Sequence, residues 1–190
     1  RIDINEISNI NPRNDTFTAD FYLWFRHKGY LDYSKIEFLN AVQDLRLKDD
    51  PIMEMAAPNI AYRAYRIKAD FNEEFNFRDY PFDAQTLNIR LRHKKFNSER
   101  LVFVTDDIGM QRYSGKTLAE RLTGYLGLSK DAPWHLQDIL VFSDIGTADS
   151  TLGNPGMFHA KADTAISYSR FNVVTEIQRN AISYVLKNLI

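Results

Sequence analysis

The sequence predicts an all-β fold, on the basis of its aromatic content, its alternating segments and its few helical patterns. The chain contains 13 phenylalanines and 10 tyrosines, and aromatic side chains favour strands because they fit a pleated, half-buried surface. The clearest alternation runs over residues 16–26 and points one set of side chains to a single face, namely Phe17, Ala19, Phe21, Leu23 and Phe25. This period of two predicts a strand with one buried face.

Length and composition indicate one globular domain. The 190 residues fall within the ~100 to 200 residues of a typical domain. Hydrophobic residues make up 44% and charged residues 26%, which excludes a disordered or fibrous chain. The 24 basic and 25 acidic residues give a net charge of -1, which argues against a nucleic-acid partner. The absence of cysteine excludes disulfides and thiolate chemistry.

The first elements in chain order form a predicted β-hairpin. Residues 2–10 are typical of a strand, residues 16–26 form its partner, and the turn formers of residues 11–15 connect the two. Further strands are predicted where alternating or apolar segments follow, over residues 62–71, 86–92, 101–104, 136–142 and 166–177.

Two segments carry the capping-box pattern of a helix start, in which a hydroxyl is followed three residues later by a carboxylate. One begins at Thr117 and continues with apolar residues at helical spacing up to Gly127, which predicts a short helix. The other begins at Ser34 and continues over residues 36–42, whose pattern suits either a helix or a strand. The sequence therefore allows one or two short helices in a chain of strands.

Motifs of catalysis and of metal binding are absent from the sequence. The four histidines are scattered without the spacing of a zinc site, at His27, His93, His135 and His159. The segment 114–117 is similar to the end of a phosphate-binding loop, but the spacing between Gly109 and Gly115 is one residue too long. Neither a nucleophile elbow nor a dinucleotide fingerprint is present. We therefore expect no enzymatic activity, no metal and no cofactor.

The segment Tyr80-Pro81-Phe82-Asp83-Ala84-Gln85 is the most distinctive in the sequence. A proline between two aromatic residues predicts a tight turn with an apolar tip and an X-Pro bond that can be cis. The segment closely resembles the Phe-Pro-Phe-Asp-x-Gln loop of the pentameric ligand-gated ion channels, the Cys-loop receptor superfamily. Animal receptors of that family would have cysteines at the positions of Glu73 and Leu87, and their absence resembles the bacterial branch.

The resemblance extends over most of the chain. Residues 20–26 look like the family's second strand with its core tryptophan at Trp24, and residues 36–40 look like the stretch after its loop A, which favours a strand there. Trp134 stands where the ninth strand opens, and residues 171–180 look like the tenth strand with the pre-membrane arginine at Arg179. The tryptophan and proline of the loop A motif are missing, because Tyr33 and its neighbours occupy that place.

The resemblance implies a fold, a location and partners. The fold is an immunoglobulin-like β-sandwich of about ten strands, and residues 1–190 form a single extracellular or periplasmic domain that ends just before the first membrane helix. The implied function is to sense a small-molecule ligand between subunits of a homopentamer and to couple binding to the gating of a membrane pore. The alternative is a periplasmic sensory or solute-binding module of the same fold without channel function.

The resemblance also implies the site residues. Ligand binding falls on the positions of the family's binding loops and complementary wall, namely Ala19, Phe21, Tyr33, His93, Phe96, Phe158 and His159. Coupling falls on the loop and the pre-membrane arginine, namely Tyr80, Pro81, Phe82, Asp83 and Arg179. An ion pair between Asp83 and Arg179 and a buried position for Trp24 between the sheets are further expectations from the same resemblance.

Overall fold

The computed structural model describes residues 1–47, 50–57, 59–105, 133–147 and 166–181. Its strands are β1 (Ile2–Asn11), β2 (Thr16–His27), β3 (Ile36–Phe38), β4 (Met53–Ala57), β5 (Ile60–Asn72), β6 (Ala84–His93), β7 (Trp134–Thr147) and β8 (Ser167–Arg179). A single turn of 3-10 helix, Tyr33–Lys35, precedes β3. The predicted helix that begins at Thr117 lies outside the described residues.

The strands form two antiparallel sheets of four strands each. The first sheet has the order β1-β2-β5-β4, and the second sheet has the order β3-β6-β8-β7. This architecture confirms the prediction of an all-β sandwich. The predicted hairpin is also present, with β1 and β2 paired from Ile2 opposite Leu23 to Asn11 opposite Thr16.

The core lies between the sheets and is rich in aromatic rings. The side chains that the alternation of β2 assigns to one face, from Phe17 to Phe25, are all buried. The ring of Phe71 lies 5.6 Å from Phe17 and 6.1 Å from Phe21, and Phe38 of the second sheet lies 6.1 Å from both Phe21 and Phe71. Such aromatic pairs add ~0.5 to 1.5 kcal/mol each to the free energy of burial.

Asn40 joins the two sheets directly. Its side-chain amide donates to the carbonyl of Asn72 at 3.0 Å and to the carbonyl of Asn88 at 2.7 Å. Its side-chain oxygen accepts from the backbone of Arg90 at 3.2 Å, and its own carbonyl accepts from the backbone of Asn72 at 2.7 Å. One side chain therefore ties β5 of the first sheet to β6 of the second.

One sequence prediction of local structure needs correction, and one open alternative is decided. Residues 101–104 are not a strand, because the backbone amide of Phe103 donates to the Ser169 hydroxyl at 2.9 Å instead of to a neighbouring strand. Their alternation reflects one-sided packing, with Leu101 and Phe103 against the core and Val102 and Val104 exposed. The segment 36–42, whose pattern suited either a helix or a strand, is a strand over β3, as the resemblance favoured.

The expectation that Trp24 lies between the sheets is wrong. Phe21, Leu23 and Phe25 occupy the core face of β2, so Trp24 points to the opposite face, where it is half-buried. Because side chains in a strand alternate strictly between faces, Trp24 could enter the core only if its neighbours left it.

Candidate functional site

The loop between β5 and β6 is fixed at its base before it reaches its tip. The backbone amide of Glu73 donates to the carbonyl of Asp15, in the β1–β2 turn, at 2.8 Å. The Glu73 carboxylate accepts from the backbone and the side-chain amide of Asn88 at 3.0 and 2.8 Å. The loop therefore starts from a position set by both sheets.

A pair of amide hydrogen bonds closes the loop above its base. The backbone amide of Asn76 donates to the Gln85 side-chain oxygen at 2.8 Å, and Gln85 Nε2 donates back to the Asn76 carbonyl at 2.6 Å. Gln85 Nε2 also donates to Asp83 Oδ2 at 2.7 Å. Gln85 is buried, so these bonds are shielded from competition by water.

The Asp83 carboxylate forms an ion pair with Arg179 at the end of β8, as predicted. Arg179 Nε donates to Oδ1 at 2.6 Å and Nη2 donates to Oδ2 at 3.0 Å, while the backbone amide of Arg179 donates to the Asp83 carbonyl at 3.0 Å. Asp83 is 1% exposed and the Arg179 side chain 12%. A planar guanidinium matches a carboxylate in this two-bond geometry, which fixes orientation as well as position.

The pKa of Asp83 reflects two opposed effects. Burial favours the neutral acid, but hydrogen bonds from Arg179 and Gln85 outweigh it and hold the pKa of Asp83 below its ordinary value. The carboxyl group is therefore ionised throughout the neutral range.

Two aromatic rings enclose the Arg179 guanidinium. Its central carbon lies 4.1 Å from the ring centroid of Trp134, the first residue of β7, and 5.0 Å from that of Tyr80 in the loop. Arginine is attracted to ring faces at such distances, and more strongly where water is excluded. Arg179 therefore links the loop, the start of β7 and the end of β8.

The tip of the loop is apolar and exposed. Phe82 is 67% exposed, and Phe77 and Tyr80 are each 45% exposed. The Tyr80-Pro81 peptide bond is cis, and the Phe82 amide closes the turn by donating to the Asp79 carbonyl at 2.7 Å. The predicted coupling residues thus lie together, with charges buried at the base and rings presented at the tip.

The predicted ligand-binding residues do not come together in the same way. Ala19 and Phe21 are both fully buried in the core between the sheets. The prediction that they form the complementary wall of a ligand site is therefore wrong, because neither side chain reaches the surface. The error arises from their place on the core face of β2. Phe158 and His159 lie outside the described residues.

His93 and Phe96 form a stacked pair at the end of β6. Their ring centroids are 4.3 Å apart and their planes differ by 10°. His93 is buried, whereas Phe96 is half-buried and keeps part of its surface accessible. Of the two, only Phe96 can offer a ring face or edge to a ligand.

Tyr33 belongs to a different cluster. Its hydroxyl is 2.6 Å from His27 Nε2, and the Arg63 guanidinium lies over its ring at 4.7 Å. Burial raises the pKa of Tyr33, partly opposed by the Arg63 charge. Tyr33 forms one wall of a cleft of about 360 Å³ between the loop after β2 and the β4–β5 hairpin, shared with Tyr30 and Tyr62.

A second cavity lies at the same end of the sandwich. It has a volume of about 340 Å³ and is lined largely by apolar side chains, among them Leu23, Phe25, Leu31, Leu91, Phe103 and Phe171.

Three residues of the coupling cluster were not assigned a coupling role from the sequence, namely Asn76, Gln85 and Trp134. The spacing of Asp83 and Gln85 was an available signal, because residues two apart in a strand share a face. The contact between Trp134 and Arg179 had no local signal, since it depends on the pairing of β7 with β8, in which the two residues are opposite each other.

Comparison with known proteins leaves the family open. No protein-family model matches the chain, and no curated protein matches it. Among the described residues, no group of histidine and acidic side chains could hold a metal ion, and no helix is long and apolar enough to cross a membrane.

Proposed function

We propose that this chain is the periplasmic or extracellular ligand-sensing domain of a pentameric ligand-gated ion channel of the bacterial, cysteine-less type. In this proposal a small molecule binds between subunits of a homopentamer, and the loop between β5 and β6 couples binding to a membrane pore. The observation that carries the proposal is the buried pair of Asp83 and Arg179, which joins that loop to the end of β8.

The pair supports the proposal because of what it connects. Arg179 is the last residue of β8, and the proposal places the membrane domain after that strand. Asp83 holds the apolar loop tip against this strand end through two side-chain bonds and one backbone bond. A displacement of the second sheet is then passed to the tip and to the exit of β8 together.

The ligand would bind near Phe96, at the end of the sandwich opposite the coupling loop. A half-buried ring beside a subunit boundary suits a small polar or weakly cationic molecule, because a ring face attracts a cation. Ligand binding would then bias gating through different affinities for the closed and open states.

Charge reversal in the full polypeptide that contains this chain tests the coupling role. The variants are Asp83→Arg, Arg179→Asp and the double exchange, reconstituted in lipid vesicles and recorded as ionic currents. We expect each single reversal to impair gating and the double exchange to recover part of it. The matched control is the Asp144–Arg170 pair, which has the same two-bond geometry on β7 and β8 but belongs to a separate hydrogen-bond cluster.

The outcomes separate the two functions considered for this fold. Currents that depend on the loop pair but not on the control pair support the channel. Binding of a small molecule by a stable domain, without current from the full polypeptide, would support a sensory or solute-binding module instead.

The binding role has its own test. Tetramethylammonium and alanine are titrated by calorimetry into the chain, with its oligomeric state measured by sedimentation. The proposal expects binding to the pentamer that weakens in the Phe96→Ala/Phe158→Ala variant. Equal binding by a monomer would contradict an interface site.

A further inference from the structure

His93 closes the turn that positions Phe96. Its Nδ1 accepts the backbone N–H of Lys95 at 3.2 Å and that of Phe96 at 2.9 Å. The same ring stacks on the Phe96 side chain. We call residues 93–97 the His93 turn. Its geometry requires a free lone pair on Nδ1, so the imidazole must be the neutral form with its proton on Nε2.

The surroundings of the ring do not favour a positive charge. His93 is 1% exposed; the backbone of Asp32 faces the ring, but Nε2 makes no hydrogen bond of good geometry with the described residues. Burial lowers the pKa of His93, and Lys95 lowers it further, while the backbone and carboxylate of Asp32 and the carboxylate of Glu37 oppose this change. The net direction is downward.

The nearby carboxylates are engaged elsewhere. Asp32 accepts from the amide and hydroxyl of Ser34 at 3.1 and 2.6 Å. Glu37 is paired with Arg92 at 2.5 Å and with Lys94 at 3.6 Å. Both carboxylates favour the imidazolium, but burial outweighs them, so a proton taken up from solvent is only partly compensated.

We propose that the His93 turn is a proton-operated switch, in which protonation of Nδ1 breaks both backbone hydrogen bonds and moves Phe96 from its position. The step adds one proton from water to Nδ1, and the two amides that lose their acceptor turn to solvent. The rest of β6 stays paired with β8, so the opening is confined to the strand end.

The consequence for ligand binding rests on the proposed function. Phe96 is the ring that the described residues offer to a ligand at this position, and its displacement removes one wall of the site. Acid pH then weakens ligand binding without unfolding the sandwich.

Hydrogen–deuterium exchange of the chain at about pH 7.5 and about pH 5 tests the switch, with rates corrected for intrinsic pH dependence. We expect exchange of the Lys95 and Phe96 amides to accelerate about tenfold at the lower pH. Amides of β2 serve as the internal reference and should be unchanged. Acceleration of β2 as well, or none at the turn, would overturn the proposal.

The matched variant is His93→Asn. The asparagine side-chain oxygen lies two bonds from Cβ, as Nδ1 does, so it can accept the same two amides but cannot titrate. The turn of this variant should remain protected at both pH values, and pH-dependent opening that persists would contradict the switch. His135→Asn, at an exposed position on β7, should behave like the unaltered chain. If His93→Asn does not fold, the exchange rates of the turn and of β2 in the unaltered chain still test the switch.

Calorimetry with tetramethylammonium at the same two pH values separates this inference from the proposed function. Binding that weakens at about pH 5 in the unaltered chain but not in His93→Asn supports both the switch and the proposed ligand-binding function. An opening turn without binding at either pH leaves the switch intact and counts against the proposed ligand class.

Discussion

Asp83 and Arg179 are joined by two side-chain hydrogen bonds of 2.6 and 3.0 Å, although 96 positions of sequence separate them. The pair closes the second sheet at one end, because Asp83 directly precedes β6 and Arg179 ends β8. Its near-complete burial distinguishes it from the Asp144–Arg170 pair, whose side chains are about one-third exposed.

Removing one member of the buried pair should destabilise the chain strongly. Asp83→Asn leaves the Arg179 guanidinium buried without its counter-charge, and such changes cost ~3 to 5 kcal/mol. Asp144→Asn should cost only ~1 kcal/mol or less, because solvent screens a pair that is about one-third exposed. Urea unfolding of both variants measures the difference, and equal losses would contradict the assignment of Asp83 to the interior.

Acid should weaken the fold through the same carboxylate. Because the folded-state pKa of Asp83 is lowered, its contribution to stability is present above the ordinary pKa of ~3.9 and is lost as pH falls through the lower folded value. Asp20 should act in the same direction, since its hydrogen bond from Arg66 lowers its pKa. The free energy of unfolding, measured by urea at a series of acid pH values, should fall less steeply in Asp83→Asn than in the unaltered chain.

The two aromatic positions of β2 should differ in their tolerance of alanine. Phe21→Ala removes a fully buried ring and should cost ~3 to 5 kcal/mol. Trp24→Ala removes a half-buried ring on the outer face and should cost ~1 to 2 kcal/mol, in proportion to the smaller apolar area that it buries. Thermal unfolding of the two variants measures both losses of stability. A larger loss for Trp24→Ala would contradict the assignment of Phe21 to the core face of β2.

Asn40 should be sensitive to an isosteric change. Asn40→Asp keeps the shape but replaces the amide donor with an acceptor, so the carbonyls of Asn72 and Asn88 both lose a hydrogen bond. We expect a loss of ~1 to 3 kcal/mol, mainly from the carbonyl of the buried Asn88, since a buried group left without its partner costs ~1 to 3 kcal/mol, whereas water can replace the exposed bond to Asn72. Asn14→Asp, at an exposed position of the β1–β2 turn, is the matched control and should change the free energy of unfolding little.

Periodicity in the sequence was sufficient for the faces of β2 and β6. Phe17 to Phe25 and Leu87 to Leu91 lie in the core as their alternation predicts. It was not sufficient for residues 101–104, because the same pattern arises when a segment packs one side on a core without pairing to a strand. Periodicity indicates which side of a segment is buried, but it does not indicate which groups the backbone amides and carbonyls bond to.

The predictions for the candidate site were likewise confirmed in one part and wrong in another. The pairing of Asp83 with Arg179 was predicted from the resemblance of two segments to a family in which these positions meet, and the contact is present. The placement of Ala19 and Phe21 in a ligand site failed, because correspondence by position does not decide which face of a strand a residue occupies. The separation of Tyr33 from Phe96 depends on how the loop after β2 folds, and no local pattern encodes that fold.

The strand order has a consequence for the order in which the chain can fold. Every described strand of the first sheet is complete once Asn72 has been synthesised. The second sheet needs β8 between β6 and β7, and β8 follows every other described strand in the chain. Until then the aromatic face of the first sheet, with Phe17, Phe21 and Phe71, has no complete sheet to cover it. Nascent chains stalled before β8 should therefore expose an apolar surface that binds chaperones and aggregates, whereas chains released after Arg179 should not.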